Sequence, residues 1–181
     1  MAGVAAGYNW DRHGFPFRTE IEYAFRDNIS YFSNATYQDR SVSSSNPSAW
    51  FWHDSDLDMH TLMVNAFYDY DTDTKFTPYI GGGLGLSLNI TDTKATILGN
   101  RQFGVPSPEA GLTQESTGKT LNFAKSLMAG VTYDLTDSWL IDLGYRYIDF
   151  GEVNWRGMFG HPVESQDVKA NEIFLGVRFQ N

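Results

Sequence analysis

The chain has 181 residues, no cysteine and a formal net charge of −9 at pH 7. The lack of cysteine excludes disulfide scaffolds, Cys-ligated zinc and thiol nucleophiles, and the acidic balance argues against nucleic-acid binding. Mean hydropathy is −0.36, and no run approaches the roughly 18 apolar residues of a transmembrane helix. A transmembrane β-barrel remains compatible, because its strands alternate apolar and polar residues.

Seven segments alternate between apolar and polar residues with a period of two, which predicts β-strands with one apolar face. In 17–26, the clearest of them, one face is aromatic or aliphatic except at Thr19, and the other carries Arg18, Glu20, Glu22 and Arg26. In chain order the predicted strands cover residues 4–10, 17–26, 62–70, 80–89, 126–134, 139–148 and 172–179.

The predicted connections alternate between short turns and long polar stretches. The long stretches lie near residues 33–58, 91–119 and 151–167. Short turns at one end and long loops at the other are typical of outer-membrane barrels. A soluble sandwich also alternates, but charges in mid-strand and aromatic residues near the strand ends favour the membrane barrel. We therefore predict a single domain over 1–181, an all-β, antiparallel, up-and-down transmembrane β-barrel.

Several motifs resemble the small opacity/OmpA-like outer-membrane β-barrel family, a porin-family group of surface proteins. GVTYDLTDSW at 130–139, followed by IDLGYRY at 141–147, is similar to the family's last hairpin. PYIGGGLG at 78–85 is similar to a central strand, and FLGVRF at 174–179 to the closing strand. The resemblance covers most strands and no long loop. It implies eight strands, a Gram-negative outer membrane, and roles from adhesion to membrane integrity.

The strand count departs from that family, since seven strands are predicted and single-chain bacterial barrels have an even number. With a periplasmic C-terminus, segment 4–10 would run down from the cell surface. We therefore expect a signal peptide, a first strand and a first outer loop to precede Met1. Alternatively, the stretch from Ala49 to His53 could close the sheet. The chain also ends in Gln180 and Asn181, where the family usually finishes on an aromatic residue.

Charged residues of both signs collect on the predicted inward face. Eight strands leave an interior that side chains just fill, and mixed signs favour a salt-bridged plug in which arginine forks hold carboxylates. In that plug we expect Arg146 to neutralise Asp142 or Glu172. The predicted lumen network comprises Arg18, Glu20, Glu22, Arg26, Asp69, Asp142, Arg146, Glu172 and Arg178.

If the lumen is plugged, the predicted function is structural, with surface interaction through adhesion or binding. A narrow small-solute pore is the alternative, although selective pores usually carry rings of one sign. A lipid-modifying barrel enzyme is the third. We predict no enzyme, because no histidine spacing pairs with a nucleophile and no serine-hydrolase elbow is present.

A short acidic run has the spacing of a metal site; Asp69, Asp71 and Asp73 repeat that spacing at a short turn, where turn chemistry is favoured. Asp54, Asp56, Asp58 and His60 share one face if the segment is extended. Three carboxylates could hold calcium, and His60 could help a transition metal. The EF-hand spacing fails at Met59, so we expect a solvated ascending loop and predict no metal and no cofactor.

Aromatic residues in the long loops are the candidate interaction surface. Trp50, Phe51 and Trp52 cluster in one loop, and Trp155 and Phe159 in another. Such residues often anchor binding partners, but they could instead pack the loops together. We predict outer-membrane lipid and lipopolysaccharide as partners, with a protein partner through the extracellular loops. Lys125 lies on the lipid-facing side, where it could reach a headgroup or mark a bulge.

Overall fold

The structure, a computed structural model, describes residues 1–37, 49–99, 113–155 and 164–180. Within these ranges the chain forms one 3-10 turn, Asp11–His13, and seven strands. No helix in the described ranges is long and apolar enough to cross a membrane. The strands are β1 (Ala2–Asn9), β2 (Phe17–Tyr37), β3 (Ala49–Asp69), β4 (Phe76–Gly99), β5 (Thr113–Asp134), β6 (Trp139–Trp155) and β7 (Glu164–Phe179).

The strands form one sheet in which each strand pairs antiparallel with its neighbours in chain order, from β1 to β7. This confirms the predicted up-and-down topology. Within the described ranges β1 and β7 share no ladder, so closure of the sheet is not seen. The suggestion that residues 49–53 close the sheet is wrong, because they form the first part of β3 and pair with β2.

The two faces of the sheet have the polarity predicted from the alternation. In β2, Arg18, Glu22 and Arg26 are buried, whereas Phe17 and Ile21 are exposed. The same inversion recurs on every long strand, and Ile173 of β7 is 82% exposed. An exposed apolar face around a buried polar one suits a protein surrounded by lipid.

The strands extend further than the alternation predicted. β2 runs to Tyr37, β3 begins at Ala49, β4 runs to Gly99 and β5 begins at Thr113. Much of each segment that was predicted to be a loop therefore forms paired β-strands. The physical reason is that backbone hydrogen bonds hold the ladder, so it continues after the outward side chains become polar. In these added parts of the strands, polar residues face each other across the ladder, as Ser30 of β2 faces Asp56 of β3.

Apolar side chains also fill part of the interior, for which only charged residues were selected from the sequence. On the side of the long hairpins, a buried cluster packs against Val168 and Ala170. A smaller cluster of Phe67, Tyr79 and Met128 lies toward the short turns. The larger cluster consists of Leu57, Met59, Met63, Ala124, Ile148, Phe150 and Val153.

Candidate functional site

The structure brings the nine inward charges into one ion-paired interior. Each of the four arginines lies within 4.0 Å of at least one carboxylate of the set, and each carboxylate has an arginine partner. These side chains are between 5% and 19% exposed. Opposite charges at such spacing offset much of the cost of removing each group from water.

The upper group of the network joins β2 to β6 and β7 across the lumen. Arg146 donates two hydrogen bonds of 2.6 Å to Glu22, one to each carboxylate oxygen. Arg26 donates to Glu172 in the same forked way, at 2.5 and 2.9 Å. Asn65 adds a third donor to Glu22 at 2.7 Å. This geometry is the bidentate pairing that arginine makes best.

The nearest partner of Arg146 is Glu22, which was not expected, while the expected partner Glu172 lies at 4.0 Å and the expected partner Asp142 is bound elsewhere. Asp142 binds Arg178, and Glu172 is held by Arg26. Arg146 and Glu172 are cross-strand neighbours, yet the guanidinium extends across the lumen to Glu22 on β2. Curvature of the sheet brings these distant strands together, and alternation along a single strand does not report it.

The lower group lies near the short turns. Arg18 contacts Glu20 at 2.6 Å and Asp69 at 3.3 Å, and its guanidinium lies 4.2 Å from the centre of the Phe67 ring. Asp142 accepts a 2.5 Å hydrogen bond from Thr132 and lies 3.4 Å from Arg178. Rings and guanidinium groups therefore stack inside the barrel.

A cavity of about 980 Å³ opens between the edges of β1 and β7. Arg18, Glu22, Arg146 and Arg178 line its inner wall together with Tyr79. In the described part of the chain, Nε of Arg146 and both Nε and Nη1 of Arg178 have no hydrogen-bond acceptor. These two arginines of the cavity wall therefore keep donors that no described residue uses.

The acidic run is part of β3 and not of a loop. Asp54, Asp56 and Asp58 lie on the outward face with His60, as extended geometry requires. His60 Nδ1 is 2.8 Å from the hydroxyl of Tyr23, and Asp56 accepts from Ser30 at 2.7 Å. Among the residues that the structure describes, no group of three His, Asp or Glu side chains is arranged to hold a metal ion.

Lys125 lies on the outward face of β5 and is largely exposed, with its Nζ 3.5 Å from Asp149. The ladder between β4 and β5 passes through Lys125 without interruption. The alternative that it marks a bulge in its own strand is therefore wrong. The bulge lies in β6, between Asp149 and Glu152, where Gly151 has a φ of +75°.

The aromatic loop candidates lie at the edge of what is described. The structure describes the backbone of Trp50, Phe51 and Trp52 as part of β3 and that of Trp155 as the end of β6. Their side chains lie outside the described part. Phe159 lies outside the described residues altogether. Their role as an interaction surface therefore remains a prediction from the sequence.

Comparison with known proteins identifies the family. A family model for the outer membrane protein beta-barrel domain matches residues 1–180. The chain belongs to this outer-membrane β-barrel family. It is accordingly a protein of the Gram-negative outer membrane, and in such barrels the short turns face the periplasm and the long hairpins the exterior.

The relatives come from Gram-negative bacteria, and two of them are named as an outer membrane protein and an opacity protein. Outer membrane protein PagN of Salmonella typhimurium is 30% identical over 98% of this chain, which spans 71% of PagN. Opacity protein opA60 of Neisseria gonorrhoeae is 32% identical over 66% of the chain, and the match spans 51% of that protein. An uncharacterized protein of Brucella abortus is 32% identical over 92% of the chain and is 56% covered.

A solved structure shares the fold. Neisserial surface protein A matches 98% of this chain and 80% of its own, with a TM-score of 0.53 and 21% identity. The sequence resemblance to opacity-like barrels is thus confirmed at the level of family and fold.

The structure adds interior residues that the sequence analysis did not select. Tyr79, Phe67 and Phe174 pack against the arginines, and Phe150 lies 4.8 Å from the Arg26 guanidinium. A signal was available in the sequence, because aromatic and methionine residues on a predicted polar face are unusual in a water-filled lumen. Asn65 and Thr61, which hydrogen-bond the charges, carried no such signal.

Proposed function

We propose that this outer-membrane β-barrel is a surface-interaction protein whose barrel is a plugged, rigid anchor and whose long hairpins present the binding surface. The observation that carries the proposal is the continuation of the ladders beyond the apolar band. The β2–β3 ladder continues to Tyr37 and Ala49, with polar outward residues such as Asp56. Rigid hairpins outside the membrane suit adhesion, and relatives are named as opacity and surface proteins.

Two layers of the interior support the plugged lumen. The ion-paired network fills the lower and middle parts, and the buried cluster around Met59 and Phe150 fills the part beneath the hairpins. Apolar constrictions exclude water and so block ion passage. The carboxylates are held by arginines, which suits a structural role better than acid–base catalysis, and we propose no enzymatic activity.

A small-solute pore is the second candidate, because charged side chains line the cavity between β1 and β7. Single-channel conductance in a planar bilayer separates the two. The plug predicts that the protein stays silent while it shows the heat-modifiable mobility of a folded barrel. Phe150→Ser should then raise the frequency of openings, because it wets the apolar cluster. Discrete steps from the unaltered protein would contradict the plug and support the pore.

The hairpin surface can be tested by adhesion. Bacteria that display the barrel should adhere to a layer of cultured epithelial cells, and Trp50→Ala with Trp52→Ala should remove most of that adhesion. Truncation of an aromatic hot spot typically costs about 2 kcal/mol or more. Tyr70→Ala, at a periplasmic turn, is the matched control and should adhere normally. Equal adhesion of the control and the paired variant would refute the role of these tryptophans.

Outer-membrane lipid, including lipopolysaccharide, is the proposed partner around the barrel wall. The exposed apolar face supports this, because it must be covered by acyl chains.

A further inference from the structure

The upper part of β6 leaves the wall of the barrel. Among the described residues, the ladder between β5 and β6 ends at the pair of Lys125 and Asp149, although β5 continues up to Thr113 in its ladder with β4. Between β3 and β4, by contrast, the pairing extends to Trp50 and Gly99. Above residue 149, the described ladder of β6 is therefore the one with β7.

A bulge turns β6 toward the lumen at this level. The register with β7 shifts between Asp149 and Glu152, and Gly151 has a φ of +75°, a conformation that favours glycine. On either side of this glycine, Phe150 and Val153 are 0% exposed. The β6–β7 hairpin thus bends inward and does not continue the wall.

Two side-chain amides hold the inward position where backbone pairing with β5 has ended. Nδ2 of Asn89, on β4, donates to the carbonyl oxygen of Phe150 at 3.3 Å. Nδ2 of Asn122, on β5, donates to the carbonyl oxygen of Glu152. Asn89 is buried on the inward face of β4, so its bond to Phe150 places the β6 backbone inside the curve of the sheet. Two such bonds hold a strand less firmly than a continuous ladder does.

The inward hairpin covers the ion-paired interior. Phe150 packs in the buried cluster with Leu57 and Met59 of β3, and Val168 of β7 packs against the same cluster. The Phe150 ring lies 4.8 Å from the Arg26 guanidinium. Because side chains of the hairpin meet those of β3 here, the hairpin itself closes the upper end of the lumen.

We propose that the β6–β7 hairpin above the bulge, residues 150–155 and 164–168, is a lid on the lumen that is closed in this structure. Opening relaxes Gly151 to extended backbone, breaks the two amide contacts and moves Phe150 and Val153 off the cluster, while β2 to β5 keep their ladders. An element held by few contacts beside a paired wall opens locally at a lower cost than the whole barrel. The lid rests on the proposed plug, because it is the movable part of the plug's upper layer.

A single introduced thiol can report on lid opening, because the chain has no cysteine. Ser126→Cys is the probe, since Ser126 is buried on the inward face of β5, lies opposite Ile148 and is close to cysteine in size. A protected thiol reacts only when its site opens, so the reaction rate measures opening. The reagent is a charged, water-soluble methanethiosulfonate, the protein is folded in lipid vesicles, and mass spectrometry follows the reaction. Glu115→Cys, at a largely exposed position, gives the unprotected rate.

Two substitutions should favour the open lid. In the Ser126→Cys background, Gly151→Ala should speed the reaction roughly tenfold, because alanine disfavours the positive φ of the closed lid. Its methyl group would also stand 2.7 Å from Cβ of Asn122. Asn122→Ala should speed the reaction about fivefold, since it removes the hydrogen bond to Glu152. Gly130→Ala, the matched control beneath Tyr79, loosens the barrel away from the lid and should change the rate by less than about twofold.

The outcomes separate the lid from the plug. If the thiol at position 126 reacts as fast as the one at position 115 in the otherwise unaltered protein, the lumen is open, which overturns the plug together with the lid. A slow reaction that neither Gly151→Ala nor Asn122→Ala accelerates overturns the lid and leaves the plug in place. Equal acceleration by these two variants and Gly130→Ala would mean that the thiol reacts through unfolding of the whole barrel, which also overturns the lid.

Discussion

Replacing Arg146 with Met should destabilise the folded barrel by about 3–5 kcal/mol, the usual cost of removing one partner of a buried ion pair. Arg146 is 5% exposed and makes two 2.6 Å hydrogen bonds to Glu22. The substitution leaves Glu22 with only Asn65 as a hydrogen-bond donor. Urea unfolding in lipid vesicles, followed by the mobility shift of the folded barrel, measures the loss.

The matched double variant identifies the cause. Glu22→Gln in the Arg146→Met background removes the stranded charge, so much of the lost stability should return. Lys169→Met, an exposed change of the same kind on β7, should alter stability by less than about 0.5 kcal/mol. If Arg146→Met unfolds at the same urea concentration as the unaltered protein, the ion pair contributes nothing to the plug.

A single methyl group at Gly130 should cost about 1–3 kcal/mol, the typical penalty of overpacking an interior. Gly130 and Gly144 face each other across β5 and β6, and the ring of Tyr79 lies over both. A Cβ at Gly130 would also stand 2.5 Å from the carbonyl oxygen of Leu143, which is backbone and cannot turn away. Thermal unfolding of Gly130→Ala measures the penalty.

Gly82 supplies the control. It lies on the outward face of β4, and a methyl group added there would have its nearest neighbouring atom 3.5 Å away. Gly82→Ala should be neutral or stabilising by roughly 0.5–1 kcal/mol, because alanine loses less backbone entropy on folding. Equal losses in the two variants would show that the packing of Tyr79 over Gly130 is not what holds this part of the barrel.

The sequence was informative wherever a property depends on neighbours along one strand. The period of two assigned Arg18, Glu20 and Glu22 to one face and Phe17 and Ile21 to the other. The pattern follows from the pleat of a single strand, so it is visible without any partner strand.

The lengths of the hairpins were harder to predict from the sequence. The upper parts of β2 and β3 lack the apolar alternation and therefore predict a loop, although their backbones pair up to Tyr37 and Ala49. A ladder outside the membrane has water instead of lipid on its outward face, so that face need not be apolar. The signal on which the prediction depended therefore ends before the strand does.

The sequence by itself determined the all-β architecture, the strand order, the polar interior and the apolar exterior, because these follow from alternation and from short turns. Only the tertiary structure decided that Arg146 binds Glu22, that Tyr79 lies over two glycines, and that Met59 and Phe150 form an apolar layer inside the barrel. Those contacts join residues of different strands. They depend on how the sheet curves and how far each side chain extends across the lumen, and no single strand encodes either quantity.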